Sequence, residues 1–209
     1  MPRSTQRLRK KHYDFIEIGT SDFNTLIQKA TDSTVGLSVE PLSDYLNRLP
    51  SKRRVTKVNV AVSNRSGHLD IFYVPDAVRK QYALPSWMKG TNKVGAPHPT
   101  VVRYLAKKGL PSTLMKHDRV PVLSIATLFR KYHVGSLDFL KVDTEGHDAV
   151  IVGAYIDLIE SRPSLKATKI QFESNSLTSK EAVRHLKERL ERLGYSVKTQ
   201  KQDTIATLV

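Results

Sequence analysis

Three titratable side chains fall within five residues at Asp143, Glu145 and His147, with Gly146 among them. Carboxylate and imidazole groups this close together can hold or pass a proton, and each shifts the other's ionisation. Helix capping by Asp143 or Thr144, with Glu145 favourable to the helix dipole, is the competing structural use of the same residues. Cysteine chemistry is excluded, because the chain has no cysteine to form a disulfide, a thiolate zinc site or a thiol nucleophile.

The elements that must position this cluster follow from hydrophobic spacing. Residues 137–143 read as the strongest strand and residues 149–161 as the helix after it. Earlier, residues 15–19 form a short strand ending in glycine, and residues 23–30 have the spacing of a helix packed on a sheet. Residues 35–40 form a second strand closed by an acid, and residues 42–49 a helix stopped by Pro50. Residues 58–62 are read as a third strand, followed through Asn64-Arg65-Ser66-Gly67 by an antiparallel partner at residues 68–74. Regular spacing returns with a strand at 120–125, a helix at 126–132 and a strand at 169–173. Thr178-Ser179-Lys180-Glu181 opens a helix that Gly194 ends, and residues 195–199 and 204–209 close the chain as a hairpin. Repeated β-then-α order predicts a Rossmann-like α/β fold. Its mostly parallel central sheet carries helices on both faces and an antiparallel C-terminal strand pair. One domain is expected over residues 1–209, with a basic tail at 1–12 and a lid or substrate insertion at 75–119.

Ligands of open parallel sheets bind beyond the carboxyl ends of the strands. The first strand ends Glu17-Ile18-Gly19-Thr20-Ser21-Asp22, where Gly19 permits a tight turn and close approach of a ligand. The second ends in Glu40, an acid suited to a ribose diol. The third carries Asn59-Val60-Ala61-Val62-Ser63, whose ends could meet an adenine ring, and the fourth reaches Asp143. Two glycines of the Gly-x-Gly-x-x-Gly pyrophosphate cradle are missing, since Ser21 and Asn24 stand there. The endings together fit a cofactor with ribose and adenine but no diphosphate, as S-adenosylmethionine is.

The formal net charge is +14 over 209 residues. Arg3, Arg7, Arg9, Lys10 and Lys11 form one cluster without an acid, and Arg48, Lys52, Arg53, Arg54 and Lys57 form another. The insertion adds Arg79, Lys80, Lys89, Lys93, Arg103, Lys107, Lys108, Lys116 and Arg119 against Asp76 and Asp118. Such segregation fits an anionic partner, or simply a solvated basic face. Nucleic acid is a possible partner, although no stacking aromatics or RRM, KH or zinc-finger spacing accompany the charge. No apolar run reaches the roughly 18 residues of a transmembrane span. No signal-like apolar stretch follows the basic N-terminus, and the expected compartment is the cytoplasm.

The run Ser136-Leu137-Asp138-Phe139-Leu140-Lys141-Val142-Asp143-Thr144-Glu145-Gly146-His147-Asp148, then Val150-Ile151-Val152-Gly153-Ala154, resembles the FkbM-type methyltransferases. Phe15-Ile16-Glu17-Ile18-Gly19 resembles their first donor motif, Val39-Glu40-Pro41 the ribose acid and Asn59-Val60-Ala61-Val62-Ser63 the third-strand motif. Val120-Pro121-Val122-Leu123-Ser124 is similar to the segment before their helix. The resemblance implies a Rossmann-like class I fold and S-adenosylmethionine-dependent methyl transfer, mostly to oxygen. It implies cofactor contacts from Glu17, Gly19, Thr20, Ser21, Asp22, Glu40, Asn59, Ala61, Ser63 and Asp143. A hydroxyl acceptor must also lose its proton, and Asp143, Glu145 and His147 are the nearest bases. Trp87, Asn92, His98 and Glu173 are candidates for the acceptor side, where Trp87 would either close the lid or anchor it. Asp143, Glu173 and Asn175 could together offer oxygen ligands, but their spacing is not a recognisable site, and no metal is expected. The acceptor is expected to be an anionic or sugar-containing molecule. An RNA-modifying methyltransferase and an inactive Rossmann-like binder of polyanions are the alternatives.

Overall fold

The computed structural model describes residues 9–209; residues 1–8, most of the expected basic tail, lie outside them. In chain order the elements are β1 (Lys11–Ile18), α1 (Leu26–Lys29), β2 (Gly36–Val39), α2 (Ser43–Arg48), β3 (Val55–Val58), β4 (Ala61–Ser63) and β5 (Gly67–Tyr73). The insertion contributes α3 (Asp76–Gln81), β6 (Lys93–Val94) and α4 (Pro99–Lys107). Then come β7 (Lys116–Ser124), α5 (Ile125–Lys131), β8 (Val134–Val142), α6 (Asp148–Ser161), β9 (Ala167–Glu173), α7 (Lys180–Arg192), β10 (Tyr195–Gln200) and β11 (Asp203–Leu208).

Seven strands form the main sheet in the order β10-β11-β9-β8-β1-β2-β3. β1 pairs in parallel with β2 on one side and β8 on the other, so strand order reverses at β1. Only β11 runs against its neighbours, lodged between β9 and β10. The predicted final hairpin is therefore present, with β10 rather than β11 as the sheet edge. Successive β1 side chains point to opposite faces. Ile16 and Ile18 join the core beneath α5, α6 and α7, with Leu128, Tyr155 and Leu190. Phe15 packs on the other face with Ile27 of α1 and Leu46 of α2. The sheet is thus covered on both sides, as the β–α alternation predicts.

The predicted third strand is not one strand. Residues 58–62 break at Asn59-Val60 into β3, at the edge of the main sheet, and β4, at the edge of a second sheet ordered β4-β7-β5-β6. Asn59 holds the break, because its amide donates to the carbonyls of Glu40 at 2.9 Å and Pro41 at 2.8 Å. β5 is antiparallel as expected, but to β7 rather than to the segment before it. β7 begins at Lys116, inside the expected insertion. The remainder of the insertion has its own small core of Val74, Leu84, Met88, Val101, Leu105 and Met115. Among the described residues, no helix is long and apolar enough to cross a membrane.

Candidate active site

A cavity of about 220 Å³ opens where strand order reverses, beyond the carboxyl ends of β1, β2 and β8, with β4 beside it. Its apolar lining comes from Ile18, Pro41, Val60, Ala61, Ile71 and Val94. Its polar lining includes Ser21, Glu40, Asn92, Lys141, Glu145 and His147.

Gly19 makes the strand ends close enough to share this cavity. Its φ of 81° is in the left-handed region, and a Cβ there would lie 1.9 Å from the Asp143 carbonyl oxygen. Only glycine fits both the torsion and the approach. The next turn carries Ser21, whose N–H donates to Glu40 Oε2 at 2.8 Å, while Leu42 N–H donates to Oε1 at 3.0 Å. Glu40 is 3% exposed, and burial pushes its carboxyl up to about 7 against the pull of these two amides. Ser21 Oγ and Asn92 Oδ1 are buried in the cavity wall without a hydrogen-bond partner. Buried polar atoms are seldom left unpaired in a folded protein, so both are positions where a ligand's polar groups would be satisfied.

The loop after β8 supplies the titratable cluster. Asp143 is half-exposed and lies 3.8 Å from Lys141 Nζ. Glu145 takes a left-handed φ of 52°, and its side chain, 19% exposed, faces His98 Nε2 at 3.4 Å. His98 comes from the insertion as the cap of α4, and its Nδ1 accepts from Thr100 N–H. That assignment puts the proton on Nε2, toward Glu145. Burial, then the charges of Asp143 and Asp148, push Glu145 up to about 7. His147 Nε2 lies 3.0 Å from Ser63 Oγ, and Ser63 donates onward to Asn64 Oδ1. Burial, then Lys93, holds His147 below its ordinary range.

Several residues expected in direct contact with ligands sit elsewhere. Glu17 is 0% exposed and outside the cavity wall; it accepts from Leu26 N–H at 2.8 Å and from Lys141 Nζ at 2.9 Å. It shares a register position with Lys141 on the α1 side of the sheet, which is why its carboxylate turns away. Asp22 is held by Lys89 at 2.6 Å and Arg48 at 3.0 Å, and Arg48 continues to Asp76, tying this loop to the insertion. Asn59 and Ser63 lie behind the wall, Asn59 bracing Glu40 and Pro41 and Ser63 holding His147. Trp87 is 42% exposed and packs at a right angle to Tyr104 of the same insertion, outside the cavity wall. Glu173 is outside the wall as well, with Oε2 buried and unpartnered and its carboxyl pushed up to about 8 by burial and the surrounding acids. Thr20, Ala61 and Asn92 do line the cavity.

Two residues of consequence are absent from the sequence-based set. Lys141 joins buried Glu17 to the cavity. Asp148, fully buried at the start of α6, accepts from Thr144 N–H, Thr144 Oγ1, Gly146 N–H and Glu173 N–H. It shapes the loop that carries Glu145 and binds that loop to the end of β9. Among the described residues, His12, Asp14 and Asp138 have ligand atoms within 4.8 Å of one another, but they belong to the opposite ends of β1 and β8.

A strand order that reverses at β1, one antiparallel strand near the far edge and a cavity at the reversal define a Rossmann-like enzyme fold. The family model for the methyltransferase FkbM domain matches residues 15–197, and the chain belongs to that family. It is a methyltransferase, and the family implies S-adenosylmethionine as the methyl donor. No curated protein and no solved structure matches the chain.

Proposed function

We propose that this enzyme moves the methyl group of S-adenosylmethionine to a hydroxyl oxygen of an anionic or sugar-containing acceptor. The observation that carries the reading is a buried acid in the wall of a cavity that is otherwise largely apolar near the strand ends. Apolar lining suits adenine, and Glu40 in the same cavity wall presents a buried carboxylate that retains lone pairs for a ribose diol. Ser21 and Asn92 line the same cavity and each carries an unpaired polar atom, Oγ and Oδ1. When bound, the donor supplies an electrophilic methyl on a cationic sulfur, with an already activated leaving group. The chain then has two tasks, alignment of the acceptor oxygen and removal of its proton.

Glu145 is the base in this reading. It lines the cavity, its carboxyl lies near neutrality, and the His98 N–H fixes its orientation. Glu145 would take the acceptor hydroxyl's proton while the acceptor oxygen displaces sulfur from the methyl, the methyl–sulfur bonding pair staying on sulfur in the neutral thioether that leaves. Lys93 supports an anionic acceptor, since its charge is felt by Glu145, His147 and His98 alike. The Lys52-Arg53-Arg54 cluster, by contrast, precedes β3 at the opposite end of the sheet from the cavity. That placement favours a small acceptor over a long nucleic acid gripped by those charges.

Calorimetry with S-adenosylmethionine tests the donor assignment. Glu40→Gln is expected to weaken binding by about 1–3 kcal/mol, because the neutral amide is a poorer acceptor for ribose hydroxyls. Binding by the parent protein should tighten as pH rises through about 7, where Glu40 ionises. Equal affinity of parent and variant would remove Glu40 from the ribose.

A further inference from the structure

A second concave surface lies on the other side of the loop that follows β9. Ser174, Asn175, Ser176 and Thr178 form one wall, the first turns of α7 a second, and the β10–β11 turn a third. Among the described residues four cations line it, Lys180, Arg184, Lys187 and Lys201, and no acid does. Two of them have partners, since Lys187 donates to Thr199 Oγ1 and Arg184 lies 3.9 Å from Glu188 along the helix. Lys180 and Lys201 are exposed at the two rims. The start of a 13-residue helix adds backbone donors: Ser179 Oγ accepts from Ala182 N–H, while the amides of Lys180 and Glu181 have no acceptor within the helix.

An independent sign of a ligand is Thr178. It is 9% exposed and lines the groove, and its buried Oγ1 has no hydrogen-bond partner among the described residues. A hydroxyl, helix amides and several ammonium groups around one hollow are the donor types that a phosphoryl group takes. The groove also adjoins the active site. A Cβ on Gly146 would come within 2.8 Å of Leu177 Cβ, so the loop that lines the groove packs directly on the loop carrying Glu145. Glu173, the last residue of β9, is followed at once by groove residue Ser174.

We propose that this groove is a phosphate subsite that holds the acceptor's phosphoryl group while its hydroxyl reaches the cavity. The acceptor class is then a phosphorylated sugar or a similar phosphomonoester, which rests on the transfer reading above; the binding of phosphate itself does not.

The test is amide NMR on the full chain without donor, titrated with inorganic phosphate and separately with a sugar monophosphate, against sodium chloride at matched ionic strength. Saturable shifts are expected at residues 178–182 with both phosphates and not with chloride. Affinity should fall about tenfold or more in the Lys180→Gln, Lys201→Gln double variant and about threefold to tenfold in Thr178→Val. The sugar phosphate should bind more tightly and shift Glu145 and Gly146 as well. Non-saturating shifts, or unchanged affinity in both variants, would overturn the subsite. Equal affinity for the two ligands, with shifts confined to the groove, would overturn its assignment to the acceptor. Because donor is omitted, a failure to bind S-adenosylmethionine is read separately and counts against the proposed function alone.

Discussion

Glu145→Gln is expected to lower the rate of methyl transfer by about 10²–10⁴-fold while donor affinity stays unchanged. Glutamine keeps the size of the side chain and can still meet His98, but it cannot take a proton. The measurement is label transfer from tritiated S-adenosylmethionine to a panel of sugars, sugar phosphates and oligonucleotides, repeated on whichever acceptor takes label. In the parent enzyme kcat/KM should rise with pH about a midpoint near 7, the value to which burial raises Glu145. The variant should lose that ascending limb. Stability provides a separate sign check. A carboxyl whose folded-state pKa is raised contributes stability below its unfolded pKa and loses it as pH rises through the folded value. Glu145→Gln removes that loss, so the variant should melt at the same or a higher temperature at pH 8. A site that gives up stability for activity behaves this way. Full activity in Glu145→Gln would pass the proton to His147 or Glu173.

The sequence makes the strand ends legible because each ends in a residue with a narrow physical use. Gly19 takes a torsion and an approach that a Cβ forbids, and Glu40 is an acid closing a strand of apolar neighbours. The break between β3 and β4 is not legible. Residues 58–62 are good strand formers, and what divides them is one amide reaching two carbonyls nearly twenty positions earlier. Trp87 reads equally as lid or anchor, and its contact with Tyr104, seventeen positions on, is visible only in the fold. Asp22 lies in the loop after β1, as a donor contact would, yet Lys89 and Arg48 arrive from distant segments to claim it. The basic groove is hidden for the same reason. Lys180, Arg184, Lys187 and Lys201 are spread among acids such as Glu181 and Glu188, and only the β10–β11 turn folding back beside α7 brings them together. Local pattern thus reports which elements form and how they end. Partnerships across the sheet depend on register, which no short window contains.

Lys141 is the clearest case, and its removal is expected to have the largest effect on stability. In the sequence it is a polar residue in the middle of a strand; in the fold it is the ion partner of Glu17 across the β1–β8 register. Lys141→Met fills the same space and leaves the Glu17 carboxylate, 0% exposed, with the Leu26 N–H as its remaining donor. Breaking a buried pair in this way costs about 3–5 kcal/mol. The loss should depend on pH. Burial already raises the Glu17 carboxyl, and Lys141 is the strongest influence holding it down. Without that ammonium, the folded variant binds a proton more tightly than the unfolded chain does. Its stability is then greatest at low pH and falls as pH rises through the raised value. Thermal melts from pH 5 to pH 8 should show the variant losing ground steadily to the parent. The Glu17→Gln, Lys141→Met double variant, with no charge left to bury, should recover most of the deficit and flatten the profile. A single variant as stable as the parent at pH 8 would mean that Glu17 is solvated or already protonated when Lys141 is present. The pair would then have no part in fixing β1 against β8, and the close approach of Gly19 to Asp143 would depend on packing alone.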